Sequence, residues 1–338
     1  MNGGTFVYLS IAGDQKLAVY SLNQKTGDLT HATDVKTEGG PGSLVLSLDK
    51  KYLYASLRTK QSVGSYRMNT ETGNLTSIGE FPVQTNLVYV NTDRTGKFLF
   101  GAEYVSGKTI VCDLHPDGKV ATPPRKALTS PINAHCLVLD PSGKFAFVPH
   151  TGPNRIDQYR FDSATGNLVP NDPPFVEGAP GSGPRHLAFH PTLSMAYSAD
   201  ELGSSLSVWK FHPDQGTLER LQTISTLPEG FKGENTCADV KIHPSGRFVY
   251  VSNRGHDSLA CYDINGQTGL AKSLGPVCTE KTPRSFDLSP DGEYVYAAGQ
   301  GSGKLASYRL NSKTGQLQPL KSYDVGPNPS WVMIVKFP

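Results

Sequence analysis

HPSGRFVYVS, residues 243 to 252, places a turn of Pro, Ser and Gly in front of an alternating aromatic and β-branched strand, and the phrase recurs along the chain. The other copies are SLDKKYLYAS (47–56), DRTGKFLFGA (93–102), DPSGKFAFVP (140–149), HPTLSMAYSA (190–199) and SPDGEYVYAA (289–298). GGTFVYLS (3–10) is the back half of a seventh. The anchor residues are Phe6, Tyr52, Phe98, Phe145, Met195, Phe248 and Tyr294, spaced by 46, 46, 47, 50, 53 and 46. A period of this size marks supersecondary units that bury their apolar faces against their neighbours.

Residues 284–325 show what one unit contains. RSFDLS alternates polar and apolar, SPDG is a turn, EYVYAAG is a second strand and GQGSG a loop. KLASYRLN is a third strand, NSKTG a turn and QLQPLKSYDV a fourth, more polar strand. The third strand recurs as LAVYSL, VGSYRM, IDQYRF, LSVWKF and LACYDI, and no stretch has helical periodicity. Four-stranded antiparallel units around a central channel form a β-propeller. The predicted fold is all-β, a seven-bladed propeller occupying residues 1–338 as one domain, with a solenoid as the alternative. The first unit lacks its innermost strand, while PSWVMIVKFP (329–338) reads as an innermost strand with no blade after it. It is expected to complete the first blade, which removes exposed sheet edges.

Bulk composition excludes several classes. Lys plus Arg number 32 against 30 Asp plus Glu, a net charge of +2 with both signs scattered, so no nucleic-acid partner is expected. No apolar run approaches the roughly 20 residues of a membrane helix, and the start MNGGT has neither the basic nor the apolar region of a secretory signal. The five cysteines form no C-x-x-C pair, which fits buried reduced thiols in a cytoplasmic protein. The expected state is a cytoplasmic monomer or weak homo-oligomer.

Repeat register also locates a site. In an antiparallel blade the start of the first strand and the end of the second lie together, and the first strand lines the channel. The first-strand positions five residues before the turn residues Asp140, His190 and Ser289 are His135, Arg185 and Arg284. The positions six past each anchor are Ala12, Arg58, Tyr104, Thr151, Glu201, Arg254 and Gln300. His186 and His150 stand one residue from these registers. Four arginines converging on one channel mouth imply an anionic ligand, because the guanidinium fork matches carboxylate and phosphate. Glu201 beside Arg185 or Arg254 is expected to stay ionised and to serve as general base. His135 among arginines is expected to be neutral and able to exchange a proton near pH 7. No metal is expected, since no H-x-E-x-H pattern or acidic cluster stands at the mouth. The other histidines read as turn or solvated residues, with His190 and His243 in HP turns, and His256 ambiguous. There is no G-x-S-x-G elbow or P-loop. The spacer TLPEGFKGENT (226–236) reads as a mobile rim element.

GPRHLAFHP (183–191), ADELGSSLSVW (199–209), SNRGHDSLACY (252–262), TPRSFDLSPDGEYVYAAGQ (282–300) and AHCLVLDPSGKF from 134 resemble the lactonase-type seven-bladed propellers. This family includes bacterial propeller 6-phosphogluconolactonases and a fungal lactone-forming muconate cyclase. The resemblance implies acid–base roles for His135 and Glu201, and substrate carboxylate or phosphate binding by Arg185 and Arg254. It implies further substrate contacts for Arg58, His186 and Arg284, with Gln300 in the same ring. It also implies chemistry without metal or organic cofactor. Asp200 stands where some phosphogluconolactonases carry Asn, and Cys136 where Ser is familiar. The leading expectation is hydrolysis of 6-phospho-D-glucono-1,5-lactone, a small anionic lactone. The alternatives are an unphosphorylated aldonolactone, a muconate-type polycarboxylate, or a non-catalytic interaction propeller.

Overall fold

The structure, a computed structural model, describes residues 4–338; Gly3 of the N-terminal half-repeat and the first two residues lie outside the described residues. Seven four-stranded antiparallel sheets follow one another around a channel. The only helix among the described residues is a 3-10 turn at Arg58–Lys60. The inner strands are Pro41–Leu46, Leu87–Thr92, Val138–Leu139, Pro184–Phe189, Thr236–Ile242 and Pro283–Leu288 for blades 2 to 7. The inner strand of blade 1 is the C-terminal segment Pro329–Lys336, which pairs antiparallel with Thr5–Ile11 and closes the ring as the sequence predicts.

The repeated phrase has a direct structural cause. Each anchor packs on a glycine in the outer turn of the next blade: Phe6 on Gly73, Tyr52 on Gly118, Phe98 on Gly166, Phe145 on Gly216, Met195 on Gly269, Phe248 on Gly315 and Tyr294 on Gly27. These seven glycines have φ between +68° and +88°, and a Cβ on any of them would come within 2.7 Å of its anchor. Only glycine suits both the left-handed backbone and the close approach. Several tyrosines two residues past an anchor add a hydrogen bond to the same glycine: Tyr8 donates to Gly73 O (2.9 Å), Tyr197 to Gly269 O (2.7 Å), Tyr250 to Gly315 O (2.9 Å) and Tyr296 to Gly27 O (2.7 Å). The apolar core is correspondingly divided into seven clusters, each shared by two adjacent blades.

The inner strands carry a second shared feature. Their pairing with the second strand slips by a β-bulge near the same end in six blades. The slips fall between Pro41 and Leu44, Leu87 and Tyr89, Pro184 and His186, Cys237 and Val240, and Pro283 and Ser285, and opposite Ser10 and Ile11 at Ser330. A bulge turns the extra residue out of the ladder and re-aims its side chain. Here Gly42, Ser43, Val88, Arg185, Arg284 and Ser330 are turned toward one cavity.

Two expectations need adjustment. Four cysteines are buried, but Cys278 is exposed. The 226–236 spacer is tied down at both ends. Thr226 Oγ1 bonds Ser204 O (2.8 Å) and Asn253 Oδ1 (2.7 Å), Asn235 Oδ1 accepts from His256 N, and Phe231 stacks edge-on with His256. His190 and His243 are turn residues, as expected, and each also reaches the turn of the next blade: Nε2 of His190 bonds Gly246 O (2.7 Å) and that of His243 bonds Gly292 O (3.1 Å).

Candidate active site at the channel mouth

The cavity at the bulged end of the inner strands is lined by Ala12, Arg58, His135, Arg185, Arg284 and Gln300, six residues picked out by register alone, together with the bulge residues and Trp331. Its enclosed volume is about 50 Å³, room for a few waters or one small anionic group. Glu201 and Arg254 join the cluster through Arg185. Arg254 Nη2 donates to Glu201 Oε1 at 2.5 Å and to Cys237 O at 3.0 Å, and Arg185 Nε lies 3.6 Å from Glu201 Oε2. Arg185 is only 1% exposed; its Nη1 also donates to Ala238 O and to His186 Nε2 (3.2 Å).

Several polar atoms in this cluster are buried without a hydrogen-bond partner: His135 Nδ1, Arg185 Nε, Glu201 Oε2 and Arg254 Nε. Arg185 Nε and Glu201 Oε2 face each other as an ion pair at 3.6 Å, while His135 Nδ1 and Arg254 Nε keep unused hydrogen-bonding capacity beside the cavity.

Electrostatics separate the roles. Burial pushes the Glu201 carboxyl up, but Arg185 and Arg254 outweigh it, and the net shift is below the usual carboxylate value. Glu201 is therefore ionised at neutral pH, as expected. Burial is the main reason that His135 titrates well below 6.5, with Arg185, His186, Arg284 and Arg254 adding to the effect. The neutral state is as expected, but among these neighbours the imidazole does not exchange its proton near pH 7. An anion bound among the arginines would offset their repulsion and bring the imidazole back toward that range. Burial, with Arg254 and Arg284, pushes Arg185 well below the ordinary arginine value in spite of Glu201 and Asp239, yet a guanidinium is basic enough to stay protonated there.

His186 does not line the mouth cavity, contrary to its expected substrate contact. The bulge at Arg185 sends that residue into the mouth, and His186 faces the next layer of the channel. There its Nδ1 bonds Asp239 Oδ1 (2.9 Å), and its ring packs against Tyr89 and Trp331 with centroids 5.4 and 5.9 Å apart. Tyr89 and Trp331 are themselves 5.7 Å apart, so three rings from three blades block the channel. Below them a separate cavity of about 340 Å³, lined by Tyr89, His186, Asp239 and Lys241, opens toward the other face. His150 is also remote, buried against Asp157 and Ile132 O. Sequence reasoning missed Asp239, Tyr89 and Trp331. Among the described residues no group of His, Cys, Asp and Glu is placed to hold a metal ion.

The profile of the family described as Lactonase, 7-bladed beta-propeller matches residues 12–334. The chain belongs to the seven-bladed β-propeller lactonase family. It is 33% identical to a 6-phosphogluconolactonase of Pectobacterium carotovorum, over 97% of this chain and 98% of that one. A 6-phosphogluconolactonase of Yersinia pestis is 30% identical, with 97% of each chain covered. A solved periplasmic gluconolactonase of Pseudomonas aeruginosa superposes with a TM-score of 0.92 and 27% identity over the full length of both chains. Membership of the lactonase family places the chain among carboxylic ester hydrolases. No helix among the described residues is long and apolar enough to cross a membrane.

Next to Glu201 in the sequence, this lactonase-family chain buries another carboxylate. Asp200 is fully buried and accepts from Ser198 (2.7 Å), Ser205 (2.9 Å) and Ser207 (2.6 Å). Burial pushes it up to about 6 in spite of these hydroxyls. A carboxyl whose folded-state value is raised contributes full stability below about pH 4 and loses it as pH rises through the folded value. Asp200→Asn keeps an acceptor for the serines and removes the buried charge. The variant is expected to be more stable than the parent by about 3 kcal/mol at pH 8, from a shift of about two units at roughly 1.4 kcal/mol each. The gain should shrink as pH falls and vanish below about pH 4, and paired thermal melts at pH 8 and near pH 4 check it. A variant less stable at pH 8 would show that the ionised carboxylate is better satisfied than its burial implies.

Proposed function

We propose that this protein hydrolyses 6-phospho-D-glucono-1,5-lactone to 6-phosphogluconate. The observation that carries the reading is the mouth cluster itself: four arginines around one ionised carboxylate and one neutral histidine, with unpartnered buried atoms on each kind of group. The curated relatives with 30 to 33% identity, named 6-phosphogluconolactonases, support the same substrate.

In this reading Glu201 takes a proton from water as the water oxygen attacks the lactone carbonyl carbon. An arginine hydrogen-bonds the oxyanion that develops on the carbonyl oxygen, a contribution of about 3 kcal/mol in comparable sites. The bond from the carbonyl carbon to the ring oxygen then breaks. The ring oxygen leaves as a hydroxyl, with His135 relaying the proton. The bound anion draws on the arginines, which raises the basicity of both Glu201 and His135 for this work. Every group comes from a single chain, so no partner subunit is needed. A phosphorylated substrate does not cross membranes, so this reading puts the reaction in the cytoplasm.

The Pseudomonas neighbour favours a second reading, an unphosphorylated gluconolactone as substrate. A coupled assay on freshly generated lactone, corrected for spontaneous hydrolysis, separates the two. The expected result is acceleration with a clear preference for the phosphorylated compound. Equal or better turnover of glucono-1,5-lactone selects the second reading, and no acceleration of either compound by folded protein overturns both.

A further inference from the structure

The four arginines of the mouth differ in what already occupies them. Arg185 and Arg254 clamp Glu201 and also donate to the backbone carbonyls of Ala238 and Cys237. Arg58 has one side-chain bond, from Nε to Asn86 Oδ1 (3.1 Å), which fixes the stem and leaves the two terminal nitrogens of the fork uncommitted. Among the described residues Arg284 has no side-chain bond and no carboxylate within ion-pair distance. Both line the same cavity as Arg185, Arg58 from blade 2 and Arg284 from blade 7 beside blade 6, and neither bonds Glu201.

Holding two partly buried cations together without a counter-charge is unfavourable. Arg284 shows the effect: burial first, then Arg254 and Arg58, bring it down to about 10. The backbone is shaped to permit the arrangement. Gly42 stands on the bulge under Arg58, and a Cβ there would lie 2.7 Å from Ser56 Oγ and 3.1 Å from Arg58 Cδ. The neighbouring Gln300 is oriented by a 2.7 Å bond to Asn328 Oδ1, and Ser330 by a 2.8 Å bond to Pro41 O.

We infer that Arg58 and Arg284 form a phosphate cradle distinct from the Glu201–Arg185–Arg254 reaction centre, and that this pair selects phosphorylated over uncharged lactones. The inference rests on the lactonase reading above for its substrate. Two uncommitted forks converging on one small cavity suit a tetrahedral dianion, whereas Arg185 and Arg254 have already committed donors to Glu201. The substrate would then lie across the mouth, its phosphate toward blades 2 and 7 and its carbonyl toward blades 5 and 6.

The test uses full-length Arg58→Gln, Arg284→Gln and Arg58→Lys proteins, each checked for a native melt. The ratio of kcat/KM for 6-phosphogluconolactone to that for glucono-1,5-lactone is expected to fall at least tenfold in both Gln variants, mainly through KM. Arg58→Lys, which keeps the charge but not the fork, should recover part of it. In parallel, binding of inorganic phosphate is measured by calorimetry. It should weaken at least tenfold in both Arg→Gln variants. An unchanged ratio with activity intact overturns the cradle and leaves the lactonase reading standing. If wild type hydrolyses neither lactone, the phosphate titration still decides: binding that ignores both substitutions overturns the cradle. Should Arg284→Gln fail to fold, the ratio and the phosphate affinity of Arg58→Gln alone decide the matter.

Discussion

Glu201→Gln is expected to lower kcat for lactone hydrolysis by roughly a thousandfold, within the 10²- to 10⁴-fold range of general-base removal. The amide cannot take the proton from water. It also leaves Arg185, only 1% exposed, and Arg254 without the carboxylate that bridges them. Removing one member of a buried ion pair costs about 3–5 kcal/mol, because the remaining charge stays buried. The site has two such charges, so the melting temperature should fall together with the activity. The two effects can be told apart. Added phosphate or sulfate supplies the missing negative charge and should restore much of the stability while restoring none of the turnover. Steady-state kinetics beside melts with and without phosphate make the comparison. A variant with kcat within tenfold of wild type, correctly folded, would remove Glu201 from the chemistry and shift the base role to His135.

Deleting residues 329–338 is expected to abolish the folded ring rather than fray one end. The segment supplies the inner strand of blade 1 and buries Val332, Ile334, Val335 and Phe337 in the two clusters on either side of that blade. At about 1.5–3 kcal/mol per buried side chain, these four residues are worth roughly as much as the whole net stability of a typical domain, about 5–15 kcal/mol. The strand also orders the catalytic end. Ser330 lines the mouth, and Ile334 N is held by Asp287 Oδ2 of blade 7 at 2.9 Å. Expression in soluble form and a cooperative circular-dichroism melt are the readouts. A truncated protein melting within a few degrees of the parent would mean that the clasp of Gly27 on Tyr294 closes the ring without this strand.

The architecture is readable from the sequence because its cause is local and repeated. A turn, an anchor and an outer-turn glycine recur seven times, and each recurrence is one interface. Most of the mouth was legible for the same reason. Counting from the turn residues reaches His135, Arg185 and Arg284, and counting from the anchors reaches Arg58, Glu201, Arg254 and Gln300. The count from the turn residues also reaches Gly42 and Val88, five residues before Ser47 and Asp93, but their side chains carry no chemical signal. A β-bulge has no fixed residue signature, so the sequence cannot weigh the substrate contact that the family resemblance implies for His186 against the bulge at Arg185, and nothing in it marks Ser43 and Ser330 as facing the mouth. Counting one residue further along each inner strand reaches Tyr89, His186 and Asp239, which the structure joins across blades. Their contacts span tens of residues and leave no local trace. The division of the arginines is hidden for a different reason, since it depends on which guanidinium meets Glu201 and which meets only an amide.

The rings of Tyr89, His186 and Trp331, set edge-on or tilted against one another, meet across the central hole and give it a floor. If the proposed reading holds, lactone, water and the departing acid would share one doorway, and the acid would leave past the same arginines that drew the lactone in. A compound lodged beside Lys241 on the far side has no line of sight to Glu201. The propeller thus behaves as a cup with a floor, and its two faces can change independently.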